Sequence, residues 1–110
     1  MVRILTIAQV PFEEKDMVII TSKYVKPLEV IDSLLAEHRK FLAKQFKQRK
    51  FICSGPQVPR VGGAIIANVG IDEAREIMKK DPFTIHGASE YQFIEFTPGT
   101  YDERFSCFVK

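Results

Sequence analysis

The chain has 110 residues, of which 45% are hydrophobic, and sixteen Lys and Arg against fourteen Asp and Glu leave a formal charge of +2. That is room for one domain burying about two-thirds of its unfolded surface, with enough apolar side chain to exclude global disorder. The charge balance argues against nucleic acid, and apolar runs such as Met17 to Ile20 fall far short of the roughly 20 residues that cross a bilayer.

Arg3 to Val10 mixes Ile, Leu, Val and Thr before Pro11 and reads as a strand. Gln9, Pro11 and Glu13 to Asp16 stand where a secretory segment would need small residues, and two cysteines are too few for a disulfide framework. The expectation is a cytoplasmic protein with reduced thiols, Cys53 packing in the core. Met17 to Val25 is a second β-branched run, closed by Lys26-Pro27. From Leu28 the period changes. Ile31, Leu34, Leu35, His38, Leu42, Gln45 and Phe46 recur at three- and four-residue steps, predicting a helix to about Lys50 whose Lys44, Lys47, Arg49 and Lys50 suit its carbonyl end.

Phe51 to Ser54 predicts a short strand stopped by Gly55-Pro56, and Gln57 to Gly63 a loop. Ala64 to Val69 reads as the next strand. Asp72 is the predicted N-cap of a helix with Ala74, Ile77 and Met78 inside, ending near Lys80 before Asp81-Pro82. After a loop from Phe83 to Glu90, Tyr91 to Thr97 alternates as a last strand. From Met17 onward the order is strand, helix, strand, strand, helix, strand. This is an α+β, ferredoxin-like βαββαβ domain, with an antiparallel sheet covered by both helices on one face. The bare face is larger than soluble monomers usually expose, so a homodimer through the sheet is expected.

His38 lies on the apolar stripe of the long helix. It is either a satisfied core histidine or a general acid/base, since imidazole takes and returns a proton near neutrality. Asp81 is expected at the C-terminal end of a helix, where a carboxylate opposes the dipole unless something holds it. Asp-Pro as a simple turn start is one reading. A His38–Asp81 pair, in which the acid fixes the tautomer and orients the ring, is the other. His86 and Thr84 follow in the same loop and could meet a polar substrate, and Arg60 could pair with a carboxylate. A metal site built from both histidines and Asp81 has no supporting ligand spacing. Gly62-Gly63 and Gly70 form no nucleotide-binding signature, and Ser54 is in no hydrolase elbow, so it also reads as a strand-end serine.

Four segments in order, EHRKFL (Glu37 to Leu42), FICSGP (Phe51 to Pro56), GGAIIANV (Gly62 to Val69) and DPFTIHG (Asp81 to Gly87), resemble the YCII-related, or YciI-like, family. The resemblance spans about Met17 to Pro98. It implies a ferredoxin-like fold that dimerises through its sheet, as in the dimeric α/β-barrel group that includes muconolactone isomerases, and an active site of His38 and Asp81. Some relatives act as dehydrochlorinases on chlorinated hydroxyquinols, and others accompany transcription or sigma factors. Many have a basic residue three before the histidine, where this chain has Leu35.

The resulting expectation is a residue 17–98 domain preceded by an extension over residues 1–16 that adds a strand and followed by a tail over residues 99–110. Its function is that of a small cofactor-independent, metal-free lyase or isomerase, with His38 and Asp81 moving a proton on a carbonyl or quinol-like substrate. Ser54, Gly55, Pro56, Arg60, Phe83, Thr84 and His86 are the expected substrate contacts. The alternative is a non-catalytic ligand-binding or accessory module. Neither nucleic acid nor membrane is an expected partner.

Overall fold

A computed structural model describes residues 16–109. The strand expected over Arg3 to Val10 lies outside the described residues. The elements are β1 (Met17–Tyr24), α1 (Leu28–Lys47), β2 (Phe51–Pro56), β3 (Gly63–Ala67), α2 (Ile71–Met78), α3 (Pro82–Ile85), β4 (Ser89–Phe96) and a 3₁₀ turn (Glu103–Phe108). The sheet runs β2-β3-β1-β4 with every neighbouring pair antiparallel. With α1 and α2 packed on one face, this is the ferredoxin-like arrangement. Among the described residues no helix is long and apolar enough to cross a membrane.

Strand alternation sorts the sheet. Val18 and Ile20 point toward the helices and stand opposite Ala67 and Ile65 of β3. Ala74, Ile77 and Met78 of α2 close over them, and Phe51 joins the same cluster, edge-on to Phe46 with ring centroids 6.1 Å apart. The other face carries Cys53, Ile66, Ile19 and Ile94 in register across all four strands. An irregularity between Phe51 and Cys53 turns the thiol onto this open face. Cys53 is therefore exposed, and Phe51 is the β2 side chain that fills the core.

Helix ends differ from the sequence reading for local reasons. The long helix stops at Lys47, because Arg49 takes a left-handed backbone (φ 62°) and the Lys50 amide returns to the Gln45 carbonyl at 2.9 Å. Gly70, and not Asp72, is the N-cap of α2. The acceptor for the first amide, Ile71 N–H, is the Glu95 carboxylate of β4 at 2.9 Å. The expected loop after Asp81 contains α3, a single helical turn closed by Gly87 at φ 62°.

Candidate functional site

The helix-facing side of β1 changes character along its length, from Val18 and Ile20 to Ser22 and Tyr24. At that polar end the cover comes from α1 and α3. There α1 presents two neighbouring stripes: Ile31, Leu34 and His38 lie inward, while Asp32, Leu35, Arg39 and Leu42, spaced three and four apart, border a cavity of about 480 Å³.

Asp81 is held by the turn it begins. It is the N-cap of α3, with Pro82 as the first helical residue, so its carboxylate sits at the favourable end of a helix and not the unfavourable one expected from the sequence. Its Oδ1 accepts from the Phe83 amide at 3.1 Å and from His38 Nδ1 at 2.8 Å, and its Oδ2 accepts from the Tyr91 hydroxyl at 2.5 Å. The residue is fully buried. A carboxylate in that position needs such donors, and three elements supply them. Burial first, and then the Asp81 charge, push the Tyr91 phenol well above its ordinary range, so it remains a donor.

With Nδ1 donating to Asp81, Nε2 of His38 is the ring's acceptor nitrogen. The ring is stacked on Phe83, with centroids 4.0 Å apart and planes at 10°, and Tyr24 meets Phe83 edge-on at 6.1 Å. The side chain of His38 retains 15% of its exposure and lines the cavity. The imidazole is thus fixed at Nδ1 and clamped on one face, while its side chain still lines the cavity.

The expected contact residues divide. Ser54, Gly55 and Pro56 at the end of β2, Arg60 from the β2–β3 loop, and Phe83 all line the cavity. Thr84 and His86 are not among its walls. The Thr84 hydroxyl, half-buried, donates instead to the Met78 carbonyl at 2.6 Å, and His86 is exposed at the C-terminal cap of α3. Among the described residues no three His, Cys, Asp or Glu side chains gather as a metal-binding group would require.

The loop that delivers Arg60 is tightly anchored. Gln57 Nε2 donates to the carbonyls of Ser22 and Gly63, both at 2.9 Å, and Tyr24 N–H donates to the Val61 carbonyl at 2.8 Å. Gly62 packs so closely on β1 that a Cβ would lie 1.7 Å from the Ser22 carbonyl oxygen, which explains the first glycine of this Gly-Gly segment. Arg60 reaches Asp32 at 2.7 Å and lies over the Tyr24 ring.

The family model for the YCII-related domain matches residues 16–97. The chain belongs to the YCII-related domain family. A search of curated proteins returned no match to it. Within this YCII-related domain, sequence reasoning did not single out Ser22, Tyr24, Asp32, Arg39 or Tyr91 as site residues. Alternation places Tyr91 on the helix side with Phe93 and Glu95, and the four-residue spacing from Leu35 places Arg39 on the cavity stripe. Those two periodicities were the available signals.

Proposed function

We propose that this YCII-related domain is a small enzyme of lyase or isomerase type, in which His38 is the general acid/base and Asp81 its orienting partner. The observation that carries this reading is the 2.8 Å contact from His38 Nδ1 to a fully buried carboxylate, in a residue that also lines a cavity. The acid keeps the acceptor lone pair on Nε2 and stabilises the imidazolium that follows. The lone pair takes a proton from a carbon next to a carbonyl. The C–H electron pair becomes the new C=C of an enolate, and the negative charge resides on oxygen. In a substrate with a C=C beside that carbon the enolate is a dienolate, and the imidazolium returns its proton at the far end of that double bond, which shifts the C=C into conjugation with the re-formed carbonyl and completes an isomerisation. Where the enolate instead expels a leaving group from the adjacent carbon, the outcome is elimination. A positioned base of this kind supplies about 10² to 10⁴ in rate. Donors lining the cavity, such as the Ser54 hydroxyl, are suited to polarise the carbonyl.

The test is proton exchange. Small enolisable ketones and hydroquinones incubated with the protein in heavy water should exchange carbon-bound hydrogen, read by NMR, with His38→Gln and His38→Ala losing at least about 10² of the rate while remaining folded. Retained exchange in either variant overturns the reading. Binding of these compounds with no exchange in the wild type favours a ligand-binding module in the same cavity.

The homodimer belongs to the same proposal. Ile94 is 57% and Phe96 39% exposed on the sheet face away from the helices, in line with Ile19 and Ile66. A second copy is the cover we propose for that apolar row. The two exposed thiols, Cys53 and Cys107, suit the reducing cytoplasm we propose for the protein.

A further inference from the structure

The charges around the cavity are unequal in a way that bears on its ligand. Arg60 is already committed: its guanidinium is 2.7 Å from Asp32, which lines the same cavity, and it lies over Tyr24. Asp81 is not part of the wall, and its oxygens are occupied by three donors behind the His38 ring. Arg39 is different. It follows His38 directly, lies on the stripe of α1 that borders the cavity between Leu35 and Leu42, and pairs with no carboxylate among the described residues. The rest of the enclosure is largely apolar, with Ile20, Leu35, Leu42, Ile65 and Phe83 in its walls.

We infer that Arg39 is the anion-recognising residue of this site and that the ligand is a small organic acid, an apolar body with a carboxylate. The inference rests on the cavity's being the ligand site proposed above, and it specifies the chemical class that enters. A guanidinium presents paired donors that match a carboxylate, and among the described residues no competing acid must be displaced. The apolar body fits the opposite walls, so the two halves of the ligand are recognised by two different parts of the cavity. Arg39 and His38 both line the cavity, so an acid group held by the first shares one enclosure with the imidazole.

Two probes of nearly one shape separate charge from fit: 2-naphthoate and 2-naphthamide, titrated calorimetrically into the full chain. The naphthoate should bind about tenfold or more tightly than the amide, as a charge-assisted pair implies. Arg39→Gln should bring the acid down to the amide's affinity without changing the amide, and Arg39→Lys should keep part of the preference. The double variant Asp32→Asn with Arg60→Gln, which removes both charges of the neighbouring pair together, should keep the preference for naphthoate over the amide. Equal affinity for the two probes in the wild type, a preference that survives Arg39→Gln, a preference abolished by the double variant, or binding of neither probe overturns the inference. None of these readouts requires turnover. A wild-type protein that prefers the acid yet exchanges no proton would end the catalytic reading and leave this one standing.

Discussion

Along one face of one strand, two neighbouring pairs of residues meet opposite surroundings. Val18 and Ile20 face Ala67 and Ile65 and are packed under Ala74, Ile77 and Met78, none of them more than 7% exposed, and Ile20 and Ile65 mark the border where the cavity begins. Ser22 and Tyr24, the next two positions on that face, look into a cavity, because α3 provides a single turn of cover there where α2 provides two. The apolar end is stabilised by area removed from water. The polar end is stabilised by the matching of donors and acceptors around Asp81. One sheet thus holds a sealed apolar core and a polar cavity side by side, and the shortness of α3 separates them.

Asp81→Ala probes that contrast most severely. It strips the acceptor from His38, from the Phe83 amide and from the Tyr91 hydroxyl, and removes the α3 cap, so a loss of about 3–5 kcal/mol is expected in urea unfolding. A loss below about 1 kcal/mol would mean that the polar end is not held by this residue.

Ile77→Ala sharpens the contrast from the opposite side. A cavity under α2 should cost about 2–4 kcal/mol while leaving naphthoate affinity unchanged, because Ile77 belongs to the sealed cluster and not to the cavity wall. Weakened ligand binding in that variant would show that the two ends are coupled.

Tyr91→Phe gives the smallest effect and a pH signature. Its hydroxyl donates to a carboxylate, and its loss should cost about 2 kcal/mol at neutral pH. Folding raises the phenol above its ordinary value of 10.0, so the folded chain keeps the proton where the unfolded chain releases it. The stabilisation is therefore complete below that value and declines as the pH rises beyond it. The stability gap between wild type and Tyr91→Phe should narrow in alkali, measured by unfolding at a series of pH values. A gap that widens with alkali would contradict the geometry at Asp81.

The fold was legible because its signals are periodic. The three- and four-residue spacing from Ile31 to Phe46 and the alternation of Tyr91, Gln92, Phe93 and Ile94 each determine a face, and the order of the elements then fixes the sheet. Details governed by single backbone positions were less visible. Arg49 ends α1 in a conformation usually left to glycine, and Glu95, distant in sequence, caps α2 in place of the nearer Asp72. The His38–Asp81 pair was one of two readings the residues allowed and the one the family resemblance implied, and neither contained the reason for Asp81's position. A four-residue helix leaves no period to detect, although an Asp before a Pro is also the signature of an N-cap followed by the first helical residue. Arg39 went unnoticed for another reason: helical spacing gives direction, but which charges neutralise one another depends on the tertiary meeting of Arg60 with Asp32.

The position of Asp81 at the junction of α1, α3 and β4 constrains how this protein can change. Drift that abandoned the chemistry proposed here while keeping the architecture would shed the imidazole first, since the ring occupies one branch of the joint and the acid is its hub. Descendants with a silent chamber should therefore still bear the aspartate, and its presence in a related chain testifies to an intact scaffold before it testifies to an active one.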